Sequence, residues 1–426
     1  MLNAGIRGLL RLGQTARVLT SVGMEWVLGD RPPAPHLLRR TFERLGATYI
    51  KLGQFIASSP SLFPTDYVRE FQACLDRTEP LPFRAVETVL HRELRRPLRD
   101  IYETIDPEPL ACASIAQVHT ARLVNGEDVV IKIRKPGVQS LLASDLNFLY
   151  VGARALELIA PRLTHASLSS IVQEIQSGMM AECDFLREAE NIRAFDHFLR
   201  VTGNKRVIVP HVYEHASTLR VLTMERLYGV ALTDEASIRR YVHDPEDTLI
   251  AAMNTWFASV VMCDFFHADL HAGNLLVLED GRIGFIDFGI VGRIEPTVWR
   301  ATTVFFEAFG RQDYLAMARA MAVLEATATD VNIQALAQDL ENLYQGLNAV
   351  ADDSEEDIDR LLLEVVAVGK RHGIRFPRAF ALLLKQILYF DRYIRMLAPE
   401  LDMLGDERLR KNDTLDASMH RKNTKV

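Results

Sequence analysis

Cysteine is scarce in this chain of 426 residues. There are four, Cys74, Cys112, Cys183 and Cys263, widely separated and with no Cys-x-x-Cys among them. That excludes a disulfide framework, gives no cysteine zinc site and fits a reducing compartment. A basic excess is missing too: 49 Lys and Arg stand against 56 Asp and Glu, a formal net charge of −7. Proteins that live on phosphate backbone carry the opposite balance, so no nucleic acid partner is expected. Long apolar runs are also lacking. Ala251–Phe266, one of the longest, is interrupted by Asn254 and Asp264, so no transmembrane helix is expected and the chain reads as cytoplasmic. There is no internal repeat. At 48% hydrophobic and 25% charged, the composition is that of a globular protein and not a disordered chain, a collagen or a coiled-coil rod. The length suggests two or three domains, or one large bilobed body.

Acid is absent from Met1–Met24, which contains Arg7, Arg11 and Arg17. At 100° per residue Leu2, Leu9, Leu12, Ala16 and Leu19 share one side of a helix, while Leu10, Val18 and Val22 interrupt the polar side. Such a segment suits a peripheral membrane contact, an organelle transit sequence or a helix packed on the body of the protein. The charged stretch 405–426 reads as a flexible tail.

Gly29-Asp-Arg-Pro-Pro-Ala-Pro35 breaks the chain after this first segment. Residues 37–103 have helical spacing. The period then turns strand-like: Val118–Leu123 and Val129–Ile133 form a hairpin around Val124-Asn-Gly-Glu127. Residues 138–200 return to helix, Arg206–Tyr213 and Arg220–Met224 read as strands, and 247–266 as a long apolar helix. A second hairpin joins Leu275–Leu278 to Arg282–Ile286, and from Pro296 to about Leu404 the pattern is helical. A small strand-containing region followed by a largely helical one is thus visible before any motif is considered.

The chemistry concentrates in Phe266-His-Ala-Asp-Leu-His-Ala-Gly-Asn274 and Gly284-Phe-Ile-Asp-Phe-Gly289. Phosphoryl transfer needs cations to neutralise phosphate oxygens and a carboxylate to position the acceptor or water. Asp269 suits the second task. Asn274 and Asp287 offer hard oxygen donors to Mg²⁺. Ordinary turn residues would not place the acid, the amide five residues on and a hairpin-linked second acid in this order. His267 and His271 are four apart, as zinc ligands on a helix would be, but the surrounding Asp and Gly-Asn suit a loop. A hydrogen-bonding role for His267 is expected.

A phosphate site of this kind also needs a cation deeper in the fold. Lys132, in Val129-Val-Ile-Lys-Ile133, is flanked by β-branched residues and requires an acidic partner. The helical stretch Met180–Asn191 offers Glu182, Asp184, Glu188 and Glu190, and spacing alone does not choose among them. No Gly-x-Gly-x-x-Gly precedes the lysine; the loop expected there is Pro109-Leu-Ala-Cys-Ala-Ser-Ile-Ala-Gln-Val-His119. Alanine permits close approach of phosphate but not the positive φ that glycine allows. Nor does an Ala-Pro-Glu follow Gly289, which leaves little activation segment for docking a protein substrate.

Together these motifs resemble the UbiB/ADCK-like (AarF-type) atypical kinase family over roughly residues 40–300. The specific marks are Lys51-Leu-Gly-Gln54, the Ala-rich Ala111–His119, Glu182-Cys-Asp184 with Glu188, and the His-Ala-Asp-Leu-His-Ala-Gly-Asn block. The resemblance implies an α+β, bilobed protein-kinase-like fold with a small β-containing N-lobe, a helical C-lobe and an N-terminal helical extension covering the active site. The corresponding divisions are 1–36, 37–104, 105–225, 226–404 and 405–426. It implies Asp269, Lys132 and Lys51 as catalytic residues. ATP would be held by Ala111, Ala113, Ser114, Gln117, Lys132, Glu188, Met224 and Glu225, and Mg²⁺ by Asn274 and Asp287. Glu188 would pair with Lys132, and Lys51 and Gln54 would reach toward Glu182 and Asp184. Thr223-Met-Glu225 would be the hinge that reads adenine. The implied function is ATP-dependent phosphotransfer or ATP hydrolysis in support of coenzyme Q (ubiquinone) or other isoprenoid-lipid metabolism, with a lipid or quinone-precursor small molecule as partner. Two other readings stand: a small-molecule phosphotransferase of the aminoglycoside or choline kinase type, and a nucleotide-binding pseudokinase scaffold. The chain departs from the family at Ser59-Pro-Ser61, where Arg-Pro-Asp is usual, at Cys112, where Ala is usual, and in lacking C-terminal hydrophobic helices. Any membrane contact is therefore expected to be peripheral.

Overall fold

The structure is a computed structural model that describes residues 21–27, 31–57, 63–71, 79–159, 168–263, 265–324, 331–348, 357–374, 376–403 and 406–410, with residues 13, 15, 17, 18, 20, 29 and 73. Residues 21–27 are helical. Most of the Arg-containing segment 1–24, Ser59–Ser61, Cys74 and nearly all of the tail 405–426 lie outside the described residues. Among the described residues no helix is long and apolar enough to cross a membrane. The described chain falls into two compact units. One comprises residues up to 57, 63–190 and 211–226; the other comprises 191–210 and the residues from 227 onward.

The first unit runs through α1 (Ala34–Leu45), α2 (Ala47–Ala57), α3 (Thr65–Phe71) and α4 (Phe83–Leu94). Strands β1 (Tyr102–Cys112), β2 (Ala116–Leu123) and β3 (Asp128–Arg134) follow, then α5 (Val138–Ile159) and α6 (Leu168–Glu182). Helix α7 (Phe185–Val201) starts in this unit and ends in the other, which also holds β4 (Val207–Ile208); the chain then returns for β5 (Val221–Glu225).

Local chemistry explains the punctuation. Pro35 sits in the first turn of α1, where its missing N–H leaves no hydrogen bond unmade. Gly46, at φ +93°, ends α1 with its N–H on the Phe42 carbonyl and lets α2 fold back. One core is helical and includes Phe42, Tyr49, Ile56, Leu142, Leu146 and Ile175. The other lies between α4 and an antiparallel sheet of order β1-β2-β3-β5. Pro107 and Pro109 lie in β1, an edge strand, where a residue without an N–H is tolerated. Val129, Ile131 and Ile133 pack with Val86 and Leu90, so alternation sends Lys132 to the opposite face of the sheet.

The second unit adds β6 (Gly229–Ala231), α8 (Glu235–Tyr241), α9 (Pro245–Met262), β7 (Phe266–His267), β8 (Leu275–Leu278), β9 (Ile283–Phe285) and β10 (Val291–Gly292). Helices α10 (Pro296–Gly310), α11 (Tyr314–Leu324), α12 (Ile333–Asn348), α13 (Asp357–Arg371), α14 (Arg378–Leu397) and α15 (Glu407–Arg410) complete it. Asp244 caps α9 by accepting the Asp247 N–H, with Pro245 in the first turn. The helix is apolar on nearly every side, and it buries Leu249, Met253, Trp256 and Val260 on one face and Ile250 and Ala258 on others. Strands β4-β9-β8-β6 form one sheet, with β4 parallel to β9, and β7 pairs with β10.

Several stretches differ from expectation. The helical run from 37 ends at Leu94, and strand begins at Tyr102. The expected loop 109–119 is mostly strand, because β1 runs to Cys112 and β2 starts at Ala116. Of Arg206–Tyr213 only Val207–Ile208 is strand; Pro210 has no N–H for a ladder, and residues 211–213 run beside β5 in the first unit. Residues 191–210, expected within 105–225, belong to the second unit.

The interior of the second unit turns on Phe195, fully buried, with ring centroids 5.3 Å from Phe198, 5.6 Å from Phe285 and 5.1 Å from Phe288. Phe195→Ala removes that ring from the centre of an aromatic cluster and is expected to lower stability by about 3–5 kcal/mol, read as a urea-midpoint shift. A loss below about 1 kcal/mol would show that this cluster does not hold the unit together.

Candidate functional site

In the first unit Lys132 emerges from β3 and meets Glu188 of α7, with Nζ 2.8 Å from Oε1 and 3.0 Å from Oε2. The carboxylate is almost wholly buried and the ammonium nearly so. The Phe185 ring lies 5.5 Å from Nζ and gives the cation an aromatic face. Of the four acids that spacing left open, the pairing selects Glu188. The selection depends on a break: the expected single helix over Met180–Asn191 is two, α6 ending at Glu182 and α7 starting at Phe185. Asp184 sits in the break and accepts the N–H groups of Leu186 and Arg187, so it caps α7. Glu182, on the other side of the break, receives Lys51 Nζ from α2 at 2.8 Å, and both side chains are largely buried. Gln54 is three residues along the same helix from Lys51.

The Ala-rich turn is closed by the Ala113 N–H, which donates to the Ala116 carbonyl at 2.8 Å. Ala111 pairs with Val118 across it, and Ser114 is buried within it. Gln117 is engaged within the protein. Its Oε1 accepts the Leu81 N–H at 2.8 Å, its Nε2 donates to the Leu81 carbonyl at 3.3 Å, and it lies 2.9 Å from the His119 ring. The amide fastens the residues before α4 onto the hairpin. In the expected hinge, Met224 pairs with Val130 of β3, and the Glu225 N–H is committed to the His211 carbonyl. Glu225 therefore has no main-chain donor to give to a base.

In the second unit the loop after β7 carries Asp269, and α14 holds it. Lys385 Nζ is 2.8 Å from Asp269 Oδ1, both side chains about four-fifths buried. Gln386 accepts the Leu270 N–H at 2.7 Å and donates to the Ala268 carbonyl at 2.8 Å, and the Tyr393 hydroxyl donates to the Leu270 carbonyl at 2.8 Å. Thus α14 fixes the main chain on both sides of Asp269 and sets a cation on its carboxylate. Asn274 donates Nδ2 to the Asp269 carbonyl at 2.8 Å, which leaves its amide oxygen as the atom to offer a cation. Asp287, at φ +57°, accepts the Gly289 N–H at 3.2 Å. A left-handed aspartate is an uncommon conformation that clusters at functional sites. Two hard oxygen donors of this kind match Mg²⁺ in chemistry. The segment leaving Asp287 is short: β10 pairs back onto β7, and α10 begins at Pro296.

His267 braces this loop. It is fully buried, lies 3.0 Å through Nε2 from the Ile286 carbonyl and accepts the Asp269 N–H on Nδ1, so it is neutral with the proton on Nε2. Burial pulls its pKa below the ordinary histidine range, against the opposing pull of the Ile286 carbonyl and of Asp269 and Asp287. Both ring nitrogens are committed, which gives His267 the hydrogen-bonding role expected for it. Lys385, Gln386 and Tyr393 had no sequence signal: they lie on an amphipathic helix more than a hundred residues downstream, where the pattern reads only as core and surface.

Residues 73–321 match the family described as the ABC1 atypical kinase-like domain. An uncharacterized aarF domain-containing protein kinase of Arabidopsis thaliana, described as chloroplastic, is 47% identical over 96% of this chain and 83% of its own length. A protein named probable protein kinase UbiB, from Pseudomonas fluorescens, is 30% identical over 86% of this chain and 69% of its own. Among solved structures, the complex of Rv3197 with erythromycin from Mycobacterium tuberculosis superposes with a TM-score of 0.53 at 23% identity, covering 81% of this chain and 87% of that one. At that identity the likeness is one of fold alone: kinase-like, with mixed sheet and a dominant share of helix.

Because the folded pKa of His267 lies below its unfolded value, the unfolded chain takes up that proton first as the pH falls through about 6.5. The stabilisation is complete above that pH and is lost on acidification toward the folded pKa, with a slope of up to about 1.4 kcal/mol per pH unit. Denaturation between pH 7 and 5 should therefore show the wild type losing stability faster than His267→Gln. Parallel pH profiles would refute the assignment.

Proposed function

The chain belongs to the ABC1 atypical kinase-like domain family, and from that membership we propose that it binds Mg²⁺–ATP and works as an ATP-dependent phosphotransferase or ATPase. The observation that carries the proposal is the buried Lys132–Glu188 pair, reached from 56 residues apart in sequence. An isolated surface lysine would not need such a partner. A lysine meant to meet phosphate at a fixed point does, because a rigid carboxylate holds its long side chain in one position.

Bound Mg²⁺–ATP would supply the transferable phosphoryl group and the divalent charge that neutralises its oxygens. The chain's own residues would do the rest. Lys132, braced by Glu188, binds phosphate oxygens. Ala111, Ala113 and Ser114 shape the turn near which phosphate is accommodated, and Met224 lies on the strand whose backbone would meet the base. Asn274 and Asp287 hold the metal. Asp269 orients the acceptor hydroxyl or water and receives its proton, and Lys385 positions Asp269 from α14. Lys51 and Gln54 on α2, with Glu182 and Asp184 at the α6–α7 break, modulate turnover. The short link from Asp287 to α10 offers little surface to an extended protein substrate. That favours a small acceptor or water, and with it a role in coenzyme Q (ubiquinone) or other isoprenoid-lipid metabolism, in keeping with the family resemblance and the likeness to proteins named UbiB. A cytoplasmic protein with peripheral membrane contact through residues 1–24 fits this reading.

ATP turnover with and without anionic liposomes and a quinone-precursor phenol tests it: stimulation is expected. Phosphorylation of an aminoglycoside or of choline, with no effect of the phenol or the liposomes, would point instead to a small-molecule phosphotransferase of that type, and absence of nucleotide binding would end the proposal. Asp287→Asn should abolish Mg²⁺–ATP binding, whereas Lys51→Ala should leave binding intact and change turnover. Unchanged Mg²⁺–nucleotide affinity in Asp287→Asn would sink the metal assignment. Lys385→Met should lower turnover about 10²-fold with little change in ATP affinity, and Lys385→Arg should recover part of the loss. A fall in ATP affinity equal to the fall in turnover would refute a positioning role.

A further inference from the structure

The first unit contains a cavity of about 440 Å³ whose lining includes none of the residues assigned above. It lies along α4 from Ala85 to Glu93, at the turn from β3 into α5, and at Arg220 just before β5. Arg92, Arg134, Lys135 and Arg220 line it against a single carboxylate, Glu93. Four cations less one anion leave a local charge of +3, in a chain whose net charge is −7. Glu93 is already engaged by Arg220, at 3.2 Å, and by the Thr218 hydroxyl, also at 3.2 Å.

Arg134 is the informative member. It is only 4% exposed, and it donates to the Cys183 carbonyl, a neutral acceptor, within the protein. Burial pulls its pKa below the arginine range, and Arg220 adds to that pull while Cys183, Glu93 and Asp184 oppose it. A guanidinium held there stays charged. Two arginines kept close together at the wall of a cavity make an arrangement that an anion would relieve.

The backbone adds donors of its own. Helix α5 runs for 22 residues, and its first i→i−4 hydrogen bond is from the Leu141 N–H to the Gly137 carbonyl. The N–H groups of Gln139 and Ser140 precede it and so have no acceptor within the helix. Gly137 makes the turn at φ +78°, and a Cβ placed there would meet nothing within 4 Å. The entrance to the helix is therefore open to a ligand, at the end where the macrodipole favours negative charge.

We infer that this cavity is a binding site for a phosphate or pyrophosphate group, held by Arg92, Arg134, Lys135 and Arg220 at the N-terminus of α5. Phosphate suits it better than a carboxylate, since it presents three strong acceptor oxygens and up to two charges to converging forks and amides. The volume is that of a small-molecule site. The inference does not depend on the nucleotide reading.

The test uses the full chain in EDTA, titrated calorimetrically with inorganic pyrophosphate and, separately, by sedimentation with phosphatidic acid vesicles against phosphatidylcholine vesicles. Saturable binding of at least one probe is expected, weakened at least about tenfold in Arg92→Glu and in Arg220→Glu and retained in Lys132→Met. Arg92 is exposed, so its variant should fold, and matching circular dichroism and urea midpoints check that for it, for Arg220→Glu and for Lys132→Met, which is counted only if it folds. Binding of pyrophosphate identifies a soluble phosphate compound, and binding of phosphatidic acid vesicles alone identifies a lipid headgroup; either supports the site. No saturable binding of either probe, binding unchanged by both pocket variants, or binding lost only in Lys132→Met would overturn it.

Discussion

A charge taken out of water must find an opposite charge, and that constraint shapes the first unit around Lys132 and Glu188. At 2.8 Å and an effective dielectric constant of about 20, their attraction is about 6 kcal/mol. Desolvating two ions costs several kcal/mol each, so the pair adds little net stability. What it provides is position. The lysine has to come from the sheet face opposite α4, and the glutamate from the first turn of α7. That turn exists because the chain breaks at Cys183-Asp184, where Asp184 caps the new helix. The same break leaves Glu182 at the end of α6, where Lys51 meets it. Two ion pairs and one cap thus follow from a single interruption of helix.

The second unit solves a related problem for a loop with almost no secondary structure of its own. Residues 268–274 carry several main-chain groups that burial would leave unsatisfied. Gln386 and Tyr393 supply partners for Ala268 and Leu270, Asn274 for Asp269, and the Trp256 indole for the His267 carbonyl. Each comes from a packed element or from the loop itself. The Asp269 carboxylate is in this way held by rigid helices, which locate a side chain more tightly than a loop can alone. The neutral, fully buried His267 belongs to the same bracing and ties the Asp269 loop to the strand that leads into Asp287.

Glycine is missing where a flexible phosphate loop would need it, and the structure replaces flexibility with closure. The turn at Ala113 to Ala116 is shut by its own hydrogen bond, and Gln117 clamps the adjoining chain at Leu81. A stiff turn of small side chains allows phosphate to approach but does not let the loop adapt to it. The link between Asp287 and α10 is likewise short.

Much was legible in the sequence because it rests on local rules. The hairpin around Asn125-Gly126, the apolar helix before Phe266, the acid and amide at Asp269 and Asn274, and the need of Lys132 for a partner all follow from period, turn chemistry and the cost of burying charge. A resemblance carried by a few motifs then singled out Glu188. Other features were beyond local rules. The clamp made by Gln117 is one, because a sequence does not reveal which way a polar side chain on a strand is spent; the contact with Leu81 is 36 residues distant. Lys385, Gln386 and Tyr393 are ordinary entries in an amphipathic pattern until α14 is laid along the loop 116 to 123 residues before it. The basic cavity is the same case, since Arg92, Arg134 and Arg220 converge only when helix, strand and turn are packed. Sequence by itself determined most of the elements and which residue types the chemistry requires, because propensity, capping and periodicity act over a few residues. Tertiary structure alone decided which charges face one another and which polar groups are already satisfied, because those depend on contacts the chain makes only after it has folded.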